Sequence, residues 1–418
     1  MVRATLPFAA SRLLRDFIAH ALYDPVKGYF SKRGHHPVGF LEPPIDFRAL
    51  PGRIAYLTEL RSRYETLGVS WLTPVEIFSP HFGAAVANHV CSNLHKENSN
   101  LVIYEIGGGT GTLAKDVLNW ILVFRPEIYK TCRYVCIEIS SPLAQLQKQR
   151  VWDSNGAHKE VFEVMVGDAG DVDVWRKVES LFTRENSRNC KSEEECTVLA
   201  MEVMDNLPHD RVVGWQETIV EEEVTRDQAT YHHIEGLRPV QDDLIQRCLL
   251  LYNKHREEEE QKSSALASAI KRLAAQTGLL HDSFRQPETI FLPTGALRLF
   301  DTLHSVRPNH HLVAADFDYL PETVIQGRNA PLVSSTLKGQ AIDRPSYLVD
   351  PGTADIFFPS DFSYLTKLYN ECSTLNRARH CKARRFFEEW APSMEATATR
   401  DGYNPLLLDY TNTSFLLS

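Results

Sequence analysis

The segment Glu105-Ile106-Gly107-Gly108-Gly109-Thr110-Gly111 sets an acid directly before a cluster of glycines. Glycine lets a ligand come up against the backbone, and a helix starting just beyond it points unpaired N–H groups at an electronegative group. A second chemical feature lies at Glu202-Val203-Met204-Asp205-Asn206-Leu207-Pro208-His209, where two carboxylates sit three residues apart after the apolar run Cys196 to Met201. Paired carboxylates can bind and orient a cationic nucleophile through charge-assisted hydrogen bonds. Taken alone, Asp205 reads equally well as a solvated residue capping a following helix. Glu138 ends another apolar run, and Asp168 follows Gly167 after a third, although Gly-Asp by itself also signals a surface turn.

These residues need strands to carry them. Leu101 to Tyr104 reads as a buried strand and Thr112 to Phe124 as a helix, so the glycines form the turn between them. Arg133 to Glu138, Val161 to Val166 and Cys196 to Met201 read as further strands, with a helix over Pro142 to Arg150. Strands alternating with helices predict an α/β fold with a doubly wound, mostly parallel sheet, whose ligands sit outside the C-terminal strand ends. The spacing narrows the ligand. A dinucleotide fingerprint needs its third glycine at position 112, which is Thr, and a phosphate-binding P-loop needs a lysine that is missing here.

Composition bounds the rest. A chain of 418 residues can form one enlarged α/β domain or two domains with room for a cofactor cleft. Acids outnumber bases by 54 to 45, which argues against binding a nucleic-acid backbone. No apolar run approaches the roughly 20 residues of a membrane span. The eight cysteines form no C-x-x-C pair and read as reduced thiols of an intracellular protein, with no zinc site. The pairs His35-His36, His232-His233 and His310-His311 lack metalloprotease spacing, so no metal is expected. Residues 1–15 hold Arg3, Arg12 and Arg15 and no acid, a composition resembling a mitochondrial presequence; Leu13, Leu14, Phe17, Ile18 and Ala21 equally form the apolar stripe of a first helix.

The glycine segment, in the pattern E-x-G-x-G-x-G, resembles motif I of the S-adenosylmethionine (SAM) dependent methyltransferases. Further segments narrow this to the MidA-like branch. Ala21-Leu22-Tyr23-Asp24-Pro25 with Gly28-Tyr29-Phe30 resembles that family's N-terminal signature, and Thr73-Pro74-Val75-Glu76 with Phe82-Gly83 its T-S-P-E and F-G segment. Glu138-Ile139-Ser140 matches its E-x-S and Glu202 to Pro208 its N-E-x-x-D-x-x-P. Ala315-Asp316-Phe317-Asp318 stands where many members carry D-Y-G, and Ala354 to Phe358 through Asp361-Phe362 resembles the G-D-I-T-x-x-V-D-F segment. The resemblance spans about Leu14 to Tyr369.

The resemblance implies a SAM cofactor and a set of roles. Gly107, Gly109 and Gly111 form the cofactor turn, Glu105 lies near the cationic amino-acid end, Glu138 accepts the ribose hydroxyls and Asp168 meets the adenine amino group. Glu202 and Asp205 are the catalytic candidates. The family includes a mitochondrial complex I assembly factor that methylates a protein arginine, which implies an arginine of a mitochondrial protein, such as a respiratory-complex subunit, as acceptor. A non-catalytic SAM-binding assembly factor is the alternative, and a cytoplasmic location the alternative to a mitochondrial one. Three residues depart from the pattern: Gly108 for the usual proline, Met201 for the usual asparagine, and Asp318 near the D-Y-G glycine. The expected organisation is a helical N-terminal subdomain over 1–95, with any targeting segment within 1–12. A methyltransferase domain over 96–370 follows, with insertions at about 180–196 and 215–290, and then a helical extension over 371–418.

Overall fold

The computed structural model describes residues 11–32, 38–67, 72–94, 100–181, 194–224, 231–276, 287–321, 323–337, 340–373 and 377–418. The presequence-like residues 1–10, His35-His36 and most of the insertion beginning at Phe182 lie outside them. The centre is a seven-stranded sheet in the order Arg379–Lys382, Thr413–Leu417, His310–Phe317, Cys196–Met201, Val102–Ile106, Arg133–Glu138, Phe162–Val166. The last five of these run parallel, and Thr413–Leu417 and Arg379–Lys382 are antiparallel additions at one edge. The central strands Val102–Ile106 and Cys196–Met201 are buried along their whole length because helices cover both faces.

The chain starts in mid-sheet at Val102–Ile106, steps outward through Arg133–Glu138 to Phe162–Val166, then returns to Cys196–Met201 on the other side of its first strand. Helix Thr112–Phe124, after Val102–Ile106, and helix Thr294–Val306, on the longer path after Cys196–Met201, pack on opposite faces, and a crevice opens at that reversal point. The glycine turn and Glu202 stand on its two banks.

A second, antiparallel sheet is built from Arg12–Leu13, Gln216–Val224, Asp210–Val213 and Thr289–Leu292, with Tyr231–Pro239 pairing Gln216–Val224 as a hairpin. The acid-rich strand Gln216–Val224 forms one arm of this hairpin, and the acid run Glu257 to Glu260 lies in helix Asp243–Gln276. Helix Leu14–Tyr23 is fastened across this sheet by Arg15, whose Nη1 reaches Asp210 Oδ2 at 2.8 Å and whose Nη2 reaches Asp242 Oδ2 at 2.6 Å. The apolar stripe of Leu14, Phe17, Ile18, Ala21 and Leu22 is fully buried beneath it. The third sheet, Gln340–Asp343, Leu332–Leu337 and Asp355–Phe357, closes the mouth of the crevice.

Two expectations need correction. The N-terminal segment is mostly helical but already contributes strand Arg12–Leu13 to the second sheet. The C-terminal segment is no helical extension: it holds helix Ala383–Trp390, yet Arg379–Lys382 and Thr413–Leu417 are strands of the central sheet. The physical reason is burial, since Thr413–Leu417 is buried along its whole length and pairs with His310–Phe317, whose edge is otherwise open. Its Thr413-Ser414-Phe415-Leu416-Leu417 composition is too short a run to reveal this without the partner strand.

Candidate active site

A cavity of about 620 Å³ fills the crevice, within the usual range of small-molecule sites. Its first bank is the glycine turn. Gly107, Gly109 and Gly111 all take left-handed backbone conformations, with φ of +64°, +54° and +84°. At Gly109 a Cβ would meet no protein atom within 4 Å and would project into open space. At Gly111 a Cβ would press on the Gln147 backbone at 3.0 Å, so this glycine lets the next helix pack closely. Helix Thr112–Phe124 starts at Gly111 with no side-chain cap, which leaves backbone donors at the turn.

The turn is clamped from outside. Glu76, buried, accepts hydrogen bonds from the hydroxyls of Thr110 and Thr112, the latter at 2.9 Å. Arg150 donates to the Thr110 carbonyl at 2.9 Å and to Glu42 at 3.0 Å. Thr73-Pro74-Val75-Glu76 was visible as a signature, but its contact with the turn depends on bringing together segments over thirty residues apart.

On the same bank, Glu138 is buried and accepts from the Ser140 N–H and from Gln147 Nε2, both at 2.8 Å. Burial pushes its pKa up to about 7 despite those bonds. Asp168 accepts from the Gly170 N–H at 2.8 Å and pairs with Arg298 at 2.6 Å. Arg298 is the one cation among the described residues lining the cavity, and sequence reasoning missed it because it comes from helix Thr294–Val306, far along the chain. Glu105 lines the cavity too, but its Oε2 is held under the turn by the Tyr134 hydroxyl at 2.8 Å and the Cys136 thiol at 3.2 Å. Burial raises its pKa to about 7.

The opposite bank carries the acids after Cys196–Met201. Glu202 has φ +56°, a left-handed conformation costing a non-glycine residue about 1 kcal/mol or more, and its N–H is held by the Ala315 carbonyl at 2.7 Å. Such strain persists where the surroundings enforce it, here turning the side chain toward the cavity it lines. Asp205 is buried, and its Oδ1 has no hydrogen-bond partner. Asp316, fully buried, accepts from the Asp205 N–H at 3.0 Å, and Asp355 accepts from Asn206 Nδ2 at 2.9 Å. Burial raises the pKa of Glu202 and of Asp205 well above the carboxylate range; Asp316 acts next on both, and Asp355 further on Asp205. Asp316 rises to about 7, again through burial. The structure thus brings Glu202 and Asp205 together with two acids to which the sequence assigned no role. Asp316 stands next to last in an apolar strand much as Glu138 closes its own, and that was the available signal.

The departures from the family pattern also find neighbours. A Cβ at Gly108 would meet Cys136 Sγ at 3.1 Å and the Glu105 carboxylate at 3.3 Å, so the space a proline would claim is already taken. Met201 gives the cavity floor an apolar, nearly buried side chain. Asp318 pairs with Lys382 at 2.6 Å and accepts from the Ser414 hydroxyl, pinning the antiparallel edge strands.

Residues 85–381, well over half of the chain, match the family described as S-adenosyl-L-methionine-dependent methyltransferase. The chain belongs to this family. It is similar over 98% of its length, at 15% identity and a TM-score of 0.57, to 88% of a protein from Burkholderia thailandensis solved with S-adenosyl-homocysteine bound. A native structure of an uncharacterized protein of the same superfamily from that organism matches at 15% identity over 98% of this chain and 87% of its own, with a TM-score of 0.55. At that identity the likeness establishes the fold. No curated protein matches the chain.

The cavity suits the cofactor of these methyltransferases. SAM carries a sulfonium, and acids line both banks while the only lining cation among the described residues is already neutralised by Asp168. With pKa values of about 7, Glu105 and Glu138 are partly protonated at neutral pH, and an incoming cation favours their ionised form. Because folding raises these pKa values, the folded protein binds more protons than the unfolded chain, and the associated stability declines as pH rises from about 4.5 through about 7. SAM binding runs the other way: it releases protons, so affinity is expected to rise about tenfold per linked carboxylate between pH 6 and pH 8. Calorimetry in two buffers of different ionisation heat checks this, and pH-independent affinity without proton release would refute it.

Proposed function

We propose that the protein transfers a methyl group from SAM to an arginine side chain of a protein substrate. The supporting observation is the acid bank of Glu202, Asp205, Asp316 and Asp355, in which a buried carboxylate oxygen of Asp205 lacks any partner. Glu202, Asp205 and Asp355 line one end of the cavity, with Asp316 buried against the Asp205 N–H; acids so gathered repel one another, and a cation placed among them relieves that repulsion. A guanidinium answers this need, being always charged and able to donate bidentate hydrogen bonds to carboxylates.

In this reading the glycine turn seats the methionine part of the cofactor, Glu138 accepts the ribose hydroxyls and Asp168 with Arg298 faces the adenine. Bound SAM supplies a methyl already activated by sulfonium charge. Glu202 and Asp205 hold the guanidinium and draw its positive charge toward the nitrogens they bind. The remaining nitrogen keeps lone-pair density for attack in line with the methyl–sulfur bond. The new nitrogen–carbon bond uses that lone pair, the sulfur retains the electrons of the broken bond, and the surplus proton leaves the nitrogen afterwards. Met201 and the apolar lining exclude water from the transfer.

The family resemblance and the arginine-bearing N-terminus support a mitochondrial setting, with a respiratory-complex subunit as substrate. Met201, lacking the amide usual at this position, supports the alternative of a SAM-binding assembly factor without catalysis. Transfer of radiolabelled methyl from SAM to mitochondrial protein, mapped by mass spectrometry, decides between them. Label on arginine supports the proposal; SAM binding without any labelled protein supports the alternative.

A further inference from the structure

Helix Leu14–Tyr23 precedes the residues matched to the family, 85–381, yet its last residue reaches into the cavity. The Tyr23 ring stacks on Phe30 with centroids 5.8 Å apart, and its hydroxyl donates to the Asn206 carbonyl at 2.8 Å. Asn206 follows Asp205 and is itself tied to Asp355. The acids acting on the phenol come from both banks: Asp355 and Asp205 on one side, Asp168 and Glu138 on the other. Tyr23 therefore stands where the two halves of the cavity meet, which is where a methyl would cross.

Its chemistry there is constrained. A phenol has one hydrogen to give and two lone pairs to offer. The hydrogen is committed to the Asn206 carbonyl, so toward the cavity the oxygen acts as an acceptor. Burial, and then the surrounding acids, push its pKa upward, so the hydroxyl stays neutral and takes no part as a base. The position is fixed at both ends of the helix: Arg15 is held by Asp210 and Asp242, and the Ala21 carbonyl accepts from the Gly352 N–H at 3.1 Å.

We propose that Tyr23 is an acceptor-binding residue whose hydroxyl oxygen takes a hydrogen bond from the incoming guanidinium, completing the set begun by Glu202 and Asp205. The role rests on the arginine reading of the acid bank. A third acceptor, on a second element, fixes the plane of a guanidinium that two on one loop leave free to pivot. Arg15 is then a positioning residue, acting through the helix that presents Tyr23.

The test uses Tyr23→Phe, which keeps the ring and its stacking on Phe30. Calorimetric titration of the protein with S-adenosyl-homocysteine, then of the loaded protein with acetyl-arginine amide, separates the two halves of the site. The expected result is an affinity for the homocysteine compound within about twofold of wild type and one for the amide about tenfold weaker, the scale of one hydrogen bond to a charged group. Equal amide binding by variant and wild type overturns the proposal. So does a parallel loss of both ligands, the pattern of a crevice distorted as a whole. Wild-type protein that binds S-adenosyl-homocysteine but not the amide refutes the arginine reading itself, and the role of Tyr23 with it.

Discussion

Gly109→Val is expected to abolish SAM binding, by more than about a hundredfold, while the protein stays folded. Two effects act together. Residue 109 holds φ at +54°, and the left-handed region costs an L-residue about 1–2 kcal/mol, more for a β-branched one. The larger effect is steric, because a Cβ at this cavity-lining position meets no protein atom within 4 Å and the new side chain grows into the space where the turn must receive the cofactor. Calorimetry with SAM measures the loss, and circular dichroism with a thermal melt confirms the fold. A variant binding SAM normally would show that the cofactor does not sit over this turn.

The second large effect is expected at the acid bank. Glu202→Gln and Asp205→Asn should each leave SAM affinity within a few-fold of wild type and lower methyl transfer by about a hundredfold or more, roughly 3 kcal/mol of transition-state stabilisation. Each amide keeps the shape of the carboxylate but donates where the guanidinium also donates, so charge and orientation are lost together. The same substitutions carry an unusual second signature. Both carboxylates lie among other acids, and burial with mutual repulsion raises their pKa values, so neutralising either one relieves the native state. Asp205→Asn should therefore melt higher than wild type by a few degrees, as about 1 kcal/mol is worth in a protein of this size. A variant that is both less active and more stable marks residues kept for function; unchanged turnover would remove the residue from the catalytic set.

Much of the fold could be read locally. Helix Thr112–Phe124 and strands Arg133–Glu138 and Cys196–Met201 occur where their apolar periodicity and flanking glycines or acids place them. Each is a long, strongly patterned element whose local preference agrees with its tertiary role. The candidate site was legible to the same depth, because parallel sheets expose their strand ends on one edge and an acid there is visible as the last residue of an apolar run. Glu138, Glu202 and Asp205, all of which line the cavity, were singled out as candidates in this way.

What escaped the sequence depends on distant partners. Thr413–Leu417 is a strand only because His310–Phe317 offers it an edge, and Asp355 joins the acid bank only because a third sheet folds over the crevice. Arg298 pairs with Asp168 across 130 residues, and Tyr23 meets Asn206 across 183. The sequence by itself determined the parallel α/β scaffold, the glycine turn and the acids at the strand ends, since these follow from short-range periodicity and backbone geometry. Tertiary structure alone decided which acids share one cavity, which of them lacks a partner, and that the first helix supplies a phenol between the two banks. Burial and mutual charge are properties of side chains brought together from far along the chain, and local periodicity carries no record of them.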